Sequence, residues 1–309
     1  MRLKPVLCIV VILGAGLEAA PPPEASSPCV QQPLVQIRSN ATSIPVSGDT
    51  LTIASLNIKQ EPRISDALEV WTRQRGVDVL LLQEIGPTLA EGEAFVAAMS
   101  ARLGFNLVYV ASYAPQEHIQ GLAIMSRFPL DEARIDALPY HRLRFRSRCR
   151  VALAATVATS AGRVRVADVH LDTRINSKAR VAQLAPVLDA LRGNDGPQII
   201  GGDFSTANVG WLDSMWPFVF AQRQPAAVRQ SMGAAGFVTP FGSTRPTFKL
   251  LYLPLKLDWL YVKHLDAVDW SVDDVAYSDH RGIWGRFSPT PTPSQGRSRE
   301  EAGAGRVAR

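Results

Sequence analysis

Short apolar runs that stop at a carboxylate or a histidine recur through the middle of this chain, and they restrict its fold more than any other feature. Val79-Leu80-Leu81-Leu82-Gln83 stops at Glu84, and Ile199-Ile200-Gly201-Gly202 stops at Asp203. The run 164–169 stops at His170, and Tyr277-Ser278 leads into Asp279-His280. Asp258 stands inside Leu257-Asp258-Trp259-Leu260-Tyr261-Val262, where a lone charge is costly unless it is paired. Consecutive apolar residues in the stretch 77–82 read as a central strand covered on both faces, so helices must lie over a sheet. In such folds ligand sites gather at strand ends, where the loops converge. One carboxylate at a strand end is most simply a turn or cap residue; five polar stops of this kind in one chain point to a shared site.

The rest of the pattern supports one large α/β domain. Strands are expected over 51–56, 77–82, 105–110, 122–126, 151–158, 164–170 and 257–262, with a short one over 198–200. Helices are expected over 63–74, 94–103 and 177–191, the last two stopped by Gly104 and Gly193. Residues 1–20 carry Arg2 and Lys4 ahead of an apolar run too short to span a bilayer. They read as a secretory signal peptide or N-terminal anchor, cleaved between Gly16 and Ala20, which predicts a periplasmic or secreted protein. Residues 21–48 form an extended arm, 49–288 the domain and 289–309 a disordered, low-complexity tail. Export would let Cys29 and Cys149 pair, although two buried thiols are an equal reading. No Cys-x-x-Cys spacing suggests a zinc site.

The order of the motifs carries a family resemblance. Ser55-Leu56-Asn57-Ile58, Leu82-Gln83-Glu84, His170-Leu171-Asp172-Thr173, Gly202-Asp203-Phe204, Leu257-Asp258-Trp259 and Ser278-Asp279-His280 follow one another as in the endonuclease/exonuclease/phosphatase superfamily, which this chain resembles from about residue 51 to 287. The segment Gly121-Leu122-Ala123-Ile124-Met125-Ser126-Arg127-Phe128-Pro129 is similar to that superfamily's middle strand and turn. The resemblance implies a deoxyribonuclease-I-like, four-layered α/β sandwich, with two mixed sheets packed face to face and helices outside. It also implies a hydrolase of phosphate esters that uses Mg²⁺, with Mn²⁺ as a substitute. Phosphate ester hydrolysis brings one anion to another, so charge neutralisation and in-line positioning do most of the catalysis.

On that resemblance Glu84 is the principal metal ligand, Asn57 orients it or completes its outer shell, and Asp279 can complete the coordination. Asp203 orients or deprotonates the attacking water. Asp258 holds the His280 imidazole, which contacts the phosphate or acts as base, while His170 touches the phosphate or protonates the leaving oxygen. One departure stands out: the superfamily's usual Asn two residues after the Gly-Asp aspartate is Ser205 here. A serine can still donate a hydrogen bond to substrate, and Asn208 lies close in sequence.

The substrate is less constrained. Residues 141–150 place Arg at every second position from Arg142 to Arg150, so in a strand five guanidiniums would share one face. That face is read either as a charge-protected edge or as an anion-guiding wall, with Arg150 and Arg174 as substrate contacts. The net charge of +5 lies largely at the two ends; the body carries 27 basic and 25 acidic residues. A nucleic-acid groove gains little from so mild a balance. Residues 211–220, rich in Trp and Phe, belong to the core, to a lid, or to an exposed apolar hairpin suited to a phospholipid substrate. Sphingomyelinase-like action on lipid and a non-catalytic anion-binding role are the alternatives. No obligate protein partner is evident. Neither a Gly-x-Ser-x-Gly elbow nor a His-Glu-x-x-His helix occurs, which disfavours unrelated hydrolases.

Overall fold

The computed structural model describes residue 29 and residues 34–38, 50–112, 119–144, 147–159, 162–219, 223–242, 245–250 and 253–290. The expected signal peptide and nearly all of the expected tail lie outside these residues. Two mixed sheets form the centre. The seven-stranded sheet has the order β1 (Leu34–Ile37), β4 (Asn106–Val110), β5 (Gly121–Ser126), β3 (Val79–Ile85), β2 (Leu51–Asn57), β16 (Arg281–Pro289) and β15 (Leu265–Asp274). The five-stranded sheet runs β14 (Asp258–Lys263), β9 (Gln198–Asp203), β8 (Gly162–His170), β7 (Val151–Thr159) and β6 (Leu130–Ala137). Two hairpins, β10–β11 (Val209–Leu212, Trp216–Val219) and β12–β13 (Phe248–Leu250, Leu253–Leu255), stand apart. The helices are α1 (Ser65–Gln74), α2 (Leu89–Leu103), α3 (Ser177–Leu191) and α4 (Gln224–Ala234).

Strand alternation explains the layers. Ile53, Val79, Leu81 and Ile124 point into the core between the sheets, whereas Ala54, Leu80, Leu82 and Ala123 point out to a second core. Leu68 and Trp71 of α1 and Val96 and Met99 of α2 cover that second core. The helix α2 is closed by Thr88, whose hydroxyl accepts from the Glu91 amide, and by Gly104 in the left-handed conformation. On the other side α3 and α4 contribute Leu184, Val187, Val228 and Met232. The result is the four-layered α/β sandwich of the deoxyribonuclease-I type.

Both sheets are mostly antiparallel, with one parallel pair each: β2 with β3, and β8 with β9. This detail positions the site. The C-terminal ends of all four strands emerge at one edge of the sandwich. There β14 and β16 begin, because they run antiparallel to β9 and β2. Gly201 lets the sheets close up, since a Cβ there would meet Leu260 at 2.5 Å and Leu81 at 2.6 Å. Gly202 has φ +132°, and a side chain would strike the Val169 carbonyl.

Several expectations change. Within the extended arm β1 adds an antiparallel edge strand to β4, and of the two cysteine readings the disulfide between Cys29 and Cys149 is the one found. The arginine row is not a strand. Residues 141–144 and 147–150 are irregular, with Arg142 and Arg144 exposed and Arg150 buried, so the described guanidiniums do not share a face; Arg146 lies outside the described residues. Mutual repulsion favours separate partners, and Arg144 pairs with Asp213 while Arg150 pairs with Asp172. Of the stretch 211–220, Phe220 lies outside the described residues, and Leu212, Trp216 and Phe218 are exposed, not core. Among the described residues no helix is long and apolar enough to cross a membrane.

Candidate active site

Six side chains meet at the edge where the parallel strands end. Asn57 closes β2, Glu84 lies near the end of β3, His170 closes β8 and Asp203 closes β9. Asp258 opens β14 directly across from Asp203, and His170 faces Asp203 from the other side in the ladder. His280 immediately precedes β16. Strand register therefore brings together residues that span more than two hundred positions of sequence.

Glu84 owes its direction to a local irregularity. The pairing of β3 with β5 shifts register between Leu82 and Ile85, and Glu84 itself has φ 56°. A bulged, left-handed residue turns its side chain away from the regular pleat, at a cost the surrounding structure must repay. The carboxylate then accepts from the Asn57 amide at 3.1 Å, and the same amide nitrogen donates to Asp203 at 3.1 Å. Asn57 is wholly buried and its own oxygen accepts from the Lys59 backbone at 3.0 Å, which fixes the amide's orientation.

The two histidines sit in opposite environments. His280 Nδ1 lies 2.9 Å from Asp258 Oδ2, and Phe248 packs on the ring at 4.7 Å between centroids. Burial alone would depress its pKa, but Asp258 overcomes this and raises it to about 10, so the ring is an imidazolium at neutral pH. Its Nε2 is 3.9 Å from Asp203. The Thr247 hydroxyl accepts from the Asp258 and Leu257 amides, holding the start of β14. His170 lies 3.5 Å from Asp203 and 3.7 Å from Glu84 through Nε2. Burial, with the Arg150 guanidinium nearby, holds it well below the usual histidine range despite the pull of Asp203. It is neutral, which suits a metal ligand or hydrogen-bond partner and does not suit a proton donor to the leaving oxygen.

The carboxylates complete the balance. Burial would lift the Asp203 carboxyl, yet the two imidazoles and hydrogen bonds from the Ser205 backbone and Asn57 hold it down to about 2. Glu84 is pushed up by burial, against the Asn57 bond and with a contribution from the Asp203 charge. Ligand atoms of Glu84, His170 and Asp203 lie within 4.8 Å of one another, as do those of Asp203, Asp258 and His280. A divalent cation fits the first set on two observations. Both ring nitrogens of His170 are buried without a hydrogen-bond partner, and the destabilised Glu84 carboxylate would gain from a positive charge.

The remaining expected site residues are placed differently. Asp279 turns to Lys59 at 3.0 Å and is not among the converging ligand atoms. Ser205 has φ 48°, a conformation in which Asn is favoured, and its hydroxyl is turned to Asp203 Oδ1 at 3.1 Å. Asn208 is exposed on the following loop. Arg174 stacks on Trp211 at 5.6 Å. Arg150 is buried, with Nε 3.1 Å from Asp172 and one terminal nitrogen 3.0 Å from Gln120 Oε1. Sequence reasoning missed the supports: Asp172, Gln183, Gln120 and Arg180. Arg180, wholly buried, donates to the carbonyls of Asp172 and Phe204 at 2.7 Å each and so ties together the loops after His170 and Asp203. Arg180 and Gln183, one turn apart near the start of α3, and Asp172 in the loop before it were the available signal.

A family model described as the Endonuclease/Exonuclease/phosphatase family matches residues 54–280. Among solved structures, an endonuclease/exonuclease/phosphatase from Beutenbergia cavernae DSM 12333 is similar at 18% identity over 78% of this chain and 72% of that one, with a TM-score of 0.61. The human Nocturnin catalytic domain with bound sulfate anion is similar at 17% identity over 84% of this chain and 98% of that one, TM-score 0.60. ANGEL2, a 2',3'-cyclic phosphatase in complex with adenosine-2',3'-vanadate, is similar at 13% identity over 85% and 100%, TM-score 0.58. No curated protein matches the sequence at a significant level.

Proposed function

The chain belongs to the endonuclease/exonuclease/phosphatase family, and from that premise we propose that it is an exported, Mg²⁺- or Mn²⁺-dependent hydrolase of phosphate esters. The observation that carries this reading is the convergence of Glu84, His170, Asp203, Asp258 and His280 at one sandwich edge. Glu84, with His170 and Asp203 beside it, would hold the ion, and Asn57 would keep the Glu84 carboxylate in place. A bound ion there supplies Lewis-acid neutralisation of phosphate charge.

This chain's own groups account for the rest. Asp203, anionic at neutral pH, orients the attacking water, whose proton passes to solvent as the new P–O bond forms. His280, held as a cation by Asp258, donates to a non-bridging phosphate oxygen and stabilises the charge that develops there. The scissile P–O bond on the opposite side breaks and releases an alkoxide, which takes its proton from solvent. Arg150, fixed by Asp172 and Gln120, adds positive potential behind His170. The disulfide between Cys29 and Cys149 supports export, because such bonds persist in oxidising compartments. Two similar structures hold oxyanions, sulfate in one and adenosine-2',3'-vanadate in the other, which supports an anionic substrate.

Hydrolysis of bis(p-nitrophenyl) phosphate is the direct test. The reading expects activity with Mg²⁺ or Mn²⁺, loss in EDTA, and loss in Glu84→Ala and in His280→Ala. Activity that survives chelation or both substitutions would overturn it.

A further inference from the structure

Three polar side chains lie deep between the two sheets, just beneath the candidate site. Ser55, Gln83 and Asp168 have no exposed surface. The Gln83 side-chain amide donates to Asp168 Oδ1 at 2.6 Å and to the Ser55 hydroxyl at 3.2 Å. The first bond joins β3 to β8, so it crosses from one sheet to the other.

Register explains why all three face inward. Ile53 and Leu81 point into the core between the sheets, and Ser55 and Gln83 follow them by two residues on the same face. Asp168 pairs with Gly201, where a Cβ would meet Leu81 of the other sheet, so Asp168 points inward as well. Each stands close to a site residue: Ser55 two before Asn57, Gln83 one before Glu84, Asp168 two before His170.

Such a bridge is a costly way to fill a core. Gln83 Oε1 and Asp168 Oδ2 are buried without a hydrogen-bond partner, whereas apolar side chains of the same shape would strand no polar atom. What the bridge fixes is the residue after Gln83. In a regular strand consecutive side chains take opposite faces, so with Gln83 pinned inward Glu84 would turn to the helix-covered layer. It reaches the Asn57 amide instead, because its φ of 56° and the register shift between β3 and β5 form a bulge. A left-handed glutamate persists only where its surroundings over-determine it. Backbone bonds do part of this: the Ile58 amide donates to the Gln83 carbonyl at 3.0 Å and the Gln60 amide to the Glu84 carbonyl at 2.8 Å. The bridge holds the same two residues from the side-chain direction.

We propose that Gln83 and Asp168 are positioning residues that set the Glu84 bulge, and through it the affinity of the site for a divalent cation. The inference rests on the cation site of the proposed function. Its test compares Gln83→Met with Asp168→Leu, made together to keep shape and remove the polar atoms, against Asp168→Asn, which keeps an acceptor for the Gln83 amide. Hydrogen exchange of the Ile58 and Gln60 amides is read in the cation-free chain, and Mn²⁺ affinity is read by titration calorimetry without substrate. The double variant should keep a cooperative thermal transition, exchange both amides faster than the parent does, and bind Mn²⁺ about 10–100-fold more weakly. Asp168→Asn should match the parent in both readouts. Should the double variant fail to fold, Asp168→Ala carries the same comparison. The proposal falls if the folded variant binds Mn²⁺ as tightly as the parent, or if Ile58 and Gln60 keep parental exchange. It falls too if they accelerate only in step with the Leu80 amide deeper in β3, the sign of general loosening, or if Asp168→Asn behaves as the double variant does. A parent chain that binds no Mn²⁺ would sink the cation site and the positioning role together; equal binding by parent and variants would sink the positioning role alone.

Discussion

Removing the Asp172 carboxylate tests the support beneath the site most directly. Asp172 and Arg150 are an ion pair with side chains 1% and 4% exposed, so neither charge can turn to water when its partner leaves. Asp172 Oδ1 accepts from Arg150 Nε at 3.1 Å and Oδ2 accepts from the Gln183 amide at 2.8 Å. Asp172→Ala strands the guanidinium and that amide together. Breaking a buried pair from one side costs about 3–5 kcal/mol, which for a domain of this size lowers the thermal midpoint by roughly 10 °C. Asp172→Asn keeps the shape and a hydrogen-bonding oxygen, so it should cost about 1–3 kcal/mol. Substituting both partners, Asp172→Leu with Arg150→Met, should be less damaging than Asp172→Ala, because no buried charge remains. Urea unfolding of the three variants at neutral pH gives the comparison. If Asp172→Ala lies within about 0.5 kcal/mol of the parent, the pair is not the buried support inferred here. If the double variant is the worst of the three, the cost is packing and not charge.

Four further outcomes follow from particular contacts. Asp273 accepts from the indole nitrogens of Trp71 and Trp284, both at 2.9 Å, and from Arg75 at 2.7 Å. Although partial burial opposes it, these bonds hold the carboxyl below its ordinary value of 3.8, so the stabilisation is complete above that pH and fades as pH falls through the lower folded value. Asp273→Ala should cost about 2–4 kcal/mol at pH 7 by stranding two buried indole N–H groups, and its gap from the parent in urea unfolding should narrow under strong acid. Gly201→Ala should cost about 1–3 kcal/mol and slow diester hydrolysis, since the added methyl meets Leu81 and Leu260 two residues from Asp203. Asn57→Ala should weaken Mg²⁺ dependence of the rate by about 10–100-fold, read as a shift in the half-saturating Mg²⁺ concentration. Burial pushes Asp168 well above the usual carboxylate range, and Asp168 Oδ2 and Gln83 Oε1 are both buried without partners. Asp168→Asn should therefore cost under about 1 kcal/mol and Asp168→Ala about 1–3 kcal/mol, as measured by thermal unfolding.

Much of this architecture is legible in sequence because it rests on periodicity. The expected strands 77–82, 164–170 and 198–200 are found as β3, β8 and β9 with ends no more than three residues from expectation, and α3 matches its expected span. β6, β15, β16 and α4 were not expected. β15 alternates Asp with apolar residues on a half-exposed edge, and Gly282 and Gly285 interrupt β16, so neither shows a clean apolar run. Gly282 is glycine because Trp71 packs within 2.5 Å of where a Cβ would sit, a long-range demand invisible locally. The arginine row misled for the opposite reason. Its two-residue period is real in the sequence, but its described residues form no strand, and Arg144 and Arg150 turn to separate acids, Asp213 and Asp172.

The two histidines show why the residues of a site are easier to name than their roles. Sequence places His170 and His280 alike, each at a strand end beside acids. The fold gives His280 a private carboxylate, Asp258, and a ring contact from Phe248, so it carries charge at neutral pH. His170 has no such partner. It shares Asp203 and Glu84 with the rest of the site and has the Arg150 charge near it, so it stays neutral. One imidazole is thereby fitted to stabilise developing negative charge, and the other to offer a neutral ring nitrogen beside Glu84 and Asp203. The division depends on Arg150 keeping its place, and that place depends on the Asp172 and Gln120 contacts. An Asp172 substitution that leaves the chain folded should accordingly disturb His170 before it disturbs His280.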